Sequence, residues 1–148
     1  MVIGGGYVGL EFAAMFTHFG SSVTVLDRGP RPLEREDADV AATAAQILAD
    51  DGVHIVSGAQ VTAIADGAAH ARVTYEDADG ERSIEADAVL LAVGRTPVTA
   101  GLGLDRAGVD VDDRGFVRVD SRLAHLGRER VRGRGRHRRS AVHVRLAG

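Results

Sequence analysis

A chain of 148 residues, 45% of them hydrophobic, is long enough for one domain with a real core. It has no cysteine, which excludes a disulfide framework, a thiolate metal site and a redox-active dithiol on this chain, and no apolar run reaches the roughly 18 residues of a membrane span. The net charge of −3 hides an asymmetry: residues 1–121 carry nine Arg against twenty Asp and Glu, while residues 122–148 carry nine Arg against Glu129 alone.

The chain opens on Val2 and Ile3, the end of an apolar run, and Gly4, Gly5, Gly6, Tyr7, Val8 and Gly9 follow at once. That is the pattern G-x-G-x-x-G. Gly4 is expected to make a tight strand-to-helix turn, Gly6 to let backbone approach a pyrophosphate, and Gly9 to let the helix pack close on the strand. The spacing of Val8, Phe12, Met15, Phe16 and Phe19 predicts a helix from about Tyr7 to Phe19, stopped by Gly20, with its N–H groups aimed at the phosphates. Residues 22–26 (SVTVL) read as a buried strand ending on Asp27, where a carboxylate takes the ribose hydroxyls of an adenosine. A glycine-rich turn with no ligand is the alternative for this βαβ unit.

After Asp27, a loop with Gly29, Pro30 and Pro32 forbids helix and ladder alike. Asp37 is expected to cap a helix over 38–50, and residues 53–56 form the next short strand. The order β-α-β-α-β calls for a parallel sheet with helices on its faces. From Gln60 the apolar period becomes two, punctuated by Asp66-Gly67 and Asp79-Gly80, which predicts a three-stranded antiparallel meander. Residues 88–93 (AVLLAV) read as a buried parallel strand ending at Gly94, placed to let a backbone approach closely. A helical turn is expected over 102–107 and a last strand over 115–120. Residues 122–148 show no stripe, and their Arg-Gly pairs are a disorder composition.

Together VIGGGYVGLEFA (2–13), VTVLDRGPRPLERED (23–37) and ADAVLLAVGRTP (86–97) resemble the NAD(P)H-binding domain of the FAD-dependent pyridine nucleotide-disulfide oxidoreductases. Within that family they look most like the mercuric reductase and reactive-chlorine-resistance reductase branch, with dihydrolipoamide dehydrogenase next. The fold implied is α/β: a Rossmann-like FAD/NAD(P)-binding three-layer fold, its central parallel sheet flanked by helices and carrying the inserted meander. The expected domain is 1–121, with its first strand truncated, followed by a basic, disordered tail over 122–148.

The resemblance implies hydride transfer from NADH or NADPH to FAD and on to a dithiol or metal acceptor. The cofactor-binding candidates are Gly4, Gly5, Gly6, Tyr7, Val8, Gly9, Glu11, Asp27, Arg28 and Gly94. Tyr7 matches a residue that covers the flavin until the nicotinamide displaces it; an ordinary helix-start aromatic is the alternative. Glu11 matches a carboxylate paired with a flavin-side lysine, or is a solvated first-turn acid favoured by the helix dipole. Asp27 stands where NADH-using relatives carry an acid and Arg28 where NADPH-using ones carry an arginine, with NADH favoured. Arg31 could equally be a solvated loop charge. His18, His54 and His70 look scattered and unpaired, so no catalytic residue and no metal site is assigned.

The family's FAD domain with its C-x4-C pair, its second FAD segment and its catalytic, dimer-forming C-terminal domain are not found in this sequence. The expectation is therefore a fragment that binds dinucleotide without turning over, soluble and cytoplasmic, with most of the FAD site and the homodimer contact elsewhere. Relatives continue past a strand like 116–120 with a Gly-Asp segment that holds flavin. Codons can be chosen for residues 123–148 so that reading one nucleotide later gives WRTSAGSAYAAGDVTGGPQFTYVSL, which suggests a frameshift; His125, His137 and His143 and the tail arginines then carry no function. The competing hypothesis is a stand-alone dinucleotide-binding module whose basic tail binds phosphate or nucleic acid. The tail has neither the lysines nor the aromatics such an arm uses, which disfavours nucleic acid.

Overall fold

Val2 and Ile3 form β1, a two-residue strand whose side chains point to opposite faces of a sheet and so begin two separate cores. The computed structural model describes residues 1–67 and 69–125, in two units that divide between Gly94 and Arg95. In the first, β1 (Val2–Ile3), α1 (Tyr7–His18), β2 (Thr24–Asp27), α2 (Ala38–Asp50) and β3 (His54–Ser57) alternate. The meander β4 (Gln60–Asp66), β5 (Ala71–Asp77) and β6 (Gly80–Ala86) comes next, and β7 (Leu90–Leu91) returns to the first sheet. That sheet runs β3-β2-β1-β7 with every pair parallel; the meander runs β4-β5-β6, antiparallel.

The period-two alternation sorts the core. Val2, Val25, Ile55, Leu90 and Ala92 pack with Leu10, Ala13 and Phe16 of α1 and Leu48 of α2. Ile3, Leu26, Val56 and Val89 face the other way, onto Val61, Val73, Tyr75 and Ile84 of the meander. Both helices thus cover one face and the meander covers the other, rather than helices lying on both faces. The reason is topological: β1-α1-β2 and β2-α2-β3 step the same way across the sheet, and two right-handed crossovers in one direction put their helices on one side.

The run 88–93 is a correction. Only Leu90 and Leu91 form a strand; Leu91 is 61% exposed and Val93 72%. β7 pairs with β1 alone, so its other flank has no strand among the described residues and only alternate side chains reach a core. In the second unit, the segment 102–107 makes a hydrogen-bonded turn, with Arg106 N and Ala107 N both donating to Gly103 O. The strand expected over 115–120 is reduced to isolated bridges, Val111 with Val117 and Val119 with His125. Its backbone is diverted by two side-chain turns: Asp112 Oδ1 accepts from Arg114 N and Phe116 N, and Asp120 Oδ1 from Arg122 N and Ala124 N. The expectations for residues 126–148 lie outside the described residues.

Candidate functional site

The glycine turn sits at the carboxyl end of β1, between the ends of β2 and β7. Gly4 has φ +112°, and a Cβ there would strike Ala92 O, so only glycine fits. A Cβ on Gly9 would strike Gly4 O, which is the close helix-to-strand approach the motif predicts. Around Gly6 a Cβ would meet nothing within 4 Å: the space beside the turn is open. Gly5 differs, because a Cβ there would lie 2.6 Å from Asp27 Oδ2. The Asp27 carboxylate therefore rests against the turn itself.

Gly6 is the N-cap of α1 and offers no side chain to that helix end; no acidic residue lies in the first turn. Among the described residues, no acceptor takes the N–H groups of Gly5, Gly6, Tyr7 or Val8. Orphan donors at a helix N-terminus, next to open space, form an anion-binding arrangement.

The loop after β2 completes the site. Leu33, at φ +50°, donates its N–H to Gly5 O at 2.9 Å and packs its side chain on the α1 side of the sheet. Arg31 is not solvated as a loop charge would be: its Nη2 donates to Glu34 O (3.2 Å) and Glu36 O (2.9 Å), and its Nη1 is buried without a partner among the described residues. Asp27 Oδ2 and Glu34 Oε2 lie 3.3 and 3.4 Å from where a Gly29 Cβ would stand, so two carboxylates converge on one point. Tyr7 is 59% exposed, and the neighbouring Glu36 carboxylate raises its pKa above the usual phenol value.

Of the remaining candidates, Val8 and Glu11 are exposed along α1, Glu11 beyond the first turn rather than in it because the helix begins at Tyr7, and Arg28 is exposed past the end of β2. Gly94 follows β7 with φ +138°, but a Cβ there meets nothing within 4 Å; the close approach belongs to Gly4 against Ala92. Two histidines are paired after all, His18 Nε2 with Asp51 Oδ2 at 3.4 Å and His70 Nδ1 with Asp87 Oδ1 at 2.6 Å. Asp37 occupies the α2 N-cap without a side-chain cap bond; Asp39 Oδ1 accepts from Val40 N instead. Sequence reasoning did not single out Leu33, Glu34 and Glu36. The density of acids between 34 and 39 was the one available signal.

A parallel sheet with helices on one face and an antiparallel meander on the other is the Rossmann-type architecture of flavoprotein reductases. The sequence matches the pyridine nucleotide-disulphide oxidoreductase family over residues 1–131, and the chain belongs to that family. It is 44% identical over 122 residues to a probable pyridine nucleotide-disulfide oxidoreductase, RclA, of Escherichia coli (strain K12), covering 82% of this chain and 27% of that protein. Dihydrolipoyl dehydrogenase of Thermus scotoductus is 38% identical over 125 residues (83% and 27%), and mercuric reductase of Streptomyces lividans 37% over 123 (83% and 26%). Among solved structures, the HOCl-induced flavoprotein disulfide reductase RclA of Escherichia coli superposes with a TM-score of 0.71 at 43% identity, over 85% of this chain and 28% of that one. LpdA of Mycobacterium tuberculosis gives 0.71 at 32% identity, over 85% and 27%. The chain thus spans about a quarter of the length of these relatives. Among the described residues, no helix is long and apolar enough to cross a membrane, and no three His, Cys, Asp or Glu side chains cluster as metal ligands would.

Proposed function

We propose that this chain is the NAD(P)H-binding part of an FAD-dependent disulfide-reductase-type oxidoreductase, with NADH the preferred dinucleotide. The observation that carries the reading is the open space at Gly6, bordered by unpartnered N–H groups and by the Asp27 carboxylate. The pyrophosphate lies on the α1 N-terminus, and Asp27 accepts from the ribose hydroxyls of the adenosine. Convergence of Glu34 on the same point as Asp27 doubles the negative charge a 2′-phosphate would meet, which outweighs the single exposed Arg28.

When bound, FAD supplies the two-electron acceptor for the nicotinamide hydride. This chain's part is to position the donor: Tyr7 and Glu11, on the same side of α1 one turn apart, are the nicotinamide- and flavin-side contacts. The 148-residue chain by itself carries no flavin and does not oxidise NAD(P)H with disulfide, quinone or mercuric acceptors; a yellow protein, or turnover without added flavin, contradicts this. The domain ends near residue 121, and the sequence beyond about Leu123 is frameshifted. Coding DNA tests that directly: the shifted frame must continue into a dimerisation domain.

Calorimetry with NADH and NADPH tests the binding role. Gly6 has φ −80° and ψ 179°, a backbone any residue adopts, so Gly6→Val leaves the fold intact while its side chain fills the open space. Affinity for both dinucleotides should fall below detection, with NADH the tighter ligand of the wild-type chain; an unchanged affinity removes the pyrophosphate role.

A further inference from the structure

Leu33 holds a strained backbone beside the glycine turn, and the strain has a local use. A leucine at φ +50° is disfavoured by contact of its Cβ with the carbonyl that follows, so the surroundings must impose it. Two contacts do so: the Leu33 side chain joins the core on the α1 side of the sheet, and its N–H reaches Gly5 O at 2.9 Å.

The second contact acts on the ligand side. In a trans peptide the C=O and the following N–H point in opposite directions, and no peptide bond among the described residues is cis. Gly5 O and Gly6 N–H belong to one such peptide. With the oxygen held toward Leu33, the Gly6 N–H is turned away from the loop, and no acceptor among the described residues takes it. Two adjacent glycines have little intrinsic reason to keep that plane fixed, since each tolerates a flipped peptide.

The loop is in turn braced. Its start is tied by Gly58 N to Gly29 O at 2.8 Å and by Ala59 N to Asp27 O at 2.9 Å. Across its middle, Glu36 N donates to Leu33 O at 2.9 Å, and Arg31 Nη2 spans Glu34 O and Glu36 O. Charge-assisted bonds from one guanidinium to two carbonyls close the chain around Leu33. Arg31 has no carboxylate within ion-pair distance among the described residues, so its charge is spent on backbone geometry.

We propose that the loop over 31–36 is the positioning element of the dinucleotide turn. Arg31 is its positioning residue: it holds Leu33 N–H on Gly5 O and so presents Gly6 N–H to the phosphate of the ligand. Arg31 acts through the loop and touches no ligand atom. The proposal rests on the dinucleotide reading given above.

The test compares Arg31→Met, which keeps the apolar stem and removes the donors, with Arg35→Met, which removes an exposed charge from the same loop. Calorimetry is run with NADH, ADP-ribose and adenosine, and the Gly6 amide is followed by NMR during the ADP-ribose titration. In Arg31→Met the affinity for NADH and ADP-ribose should fall about tenfold or more, and the ligand-induced shift of the Gly6 amide should collapse. Adenosine, which has no pyrophosphate, should bind as before, and Arg35→Met should match the wild type. Equal losses in the two arginine variants would make the effect one of net charge and overturn the proposal, as would a loss shared with adenosine. If Arg31→Met does not fold, hydrogen exchange on the wild type decides: the Leu33 amide must be protected, and the Gly6 amide must exchange freely until NADH is added. A wild-type chain that binds no dinucleotide removes the function proposed above, and this inference with it; a wild type that binds beside an unaffected Arg31→Met removes this inference alone.

Discussion

Two helices follow parallel strands in this sheet, α1 after β1 and α2 after β2, and they begin in opposite ways. The N-cap of α1 is glycine, its first turn has no acid, and its leading N–H groups have no partner among the described residues. At α2 the N-cap is Asp37, Asp39 follows in the first turn, and Asp39 Oδ1 takes the N–H of Val40. Both helix ends carry the same positive dipole, so the dipole alone does not make a site. A site arises where the sequence withholds its own anion and glycine keeps the space clear.

The comparison can be broken most severely at Gly9, where any side chain must enter the space of Gly4 O. Gly9→Ala should cost about 3 kcal/mol by urea denaturation, because helix and turn must separate. A loss under about 1 kcal/mol would mean the approach is soft. Converting the α1 end into an α2-like end is the sharper experiment. In Gly6→Asp the new carboxylate caps the helix and gains a few tenths of a kcal/mol in stability. NADH affinity should fall about 100-fold or more, since the protein's own anion then occupies the phosphate position. Stability and binding moving in opposite directions is the signature to look for. The reverse change, Asp37→Gly, should cost only a few tenths of a kcal/mol, because Asp37 makes no side-chain cap bond. It should create no dinucleotide affinity, as the α2 end lacks the strand-to-helix glycine turn.

The first half of the sheet was legible because its signals are local. Gly4 announces the tight turn and Gly9 the close approach, the period at Val8, Phe12, Met15, Phe16 and Phe19 marks a helix, and the Asp-Gly pairs mark the meander turns. The buried face of that helix was misjudged, because Leu10 and Ala13 enter the core with Phe16 while Val8, Phe12 and Phe19 are exposed. What was not legible depends on partners distant in sequence. The run 88–93 is apolar enough for a central strand, yet burial of Leu91 depends on neighbours that β7 does not have among the described residues. Leu33 contradicts its own propensity, so no pattern places it at φ +50°, and Arg31 looked like any loop charge until its carbonyl partners were visible. The strand over 115–120 failed for a different reason: Asp112 and Asp120 offer the backbone side-chain acceptors that compete with a ladder.

Asp112 extends the comparison to the second unit, where a carboxylate again satisfies leading N–H groups, here in a turn with no helix behind it. Its Oδ1 accepts from Phe116 N and Arg114 N, both at 2.9 Å, and these bonds, with the nearby charges of Arg114 and Arg118, hold its carboxyl below the usual aspartate range. The folded-state value lies under the unfolded one, so the stabilisation is complete above the unfolded aspartate value and is lost as pH falls through the folded one. The turn should therefore keep its order through neutral and mildly acidic pH and loosen only below the ordinary aspartate range. Amide shifts of Arg114 and Phe116 across an acid titration measure this, and both should move together at a midpoint lower than that of a free aspartate. Asp112→Asn retains an acceptor oxygen and should abolish the pH dependence while leaving the turn in place. A midpoint at the ordinary aspartate value would show that the side chain spends little time on the backbone. The effect on global stability should be the smallest of the set, since Asp112 is only half-buried and both bonds are exchanged for bonds to water when they break.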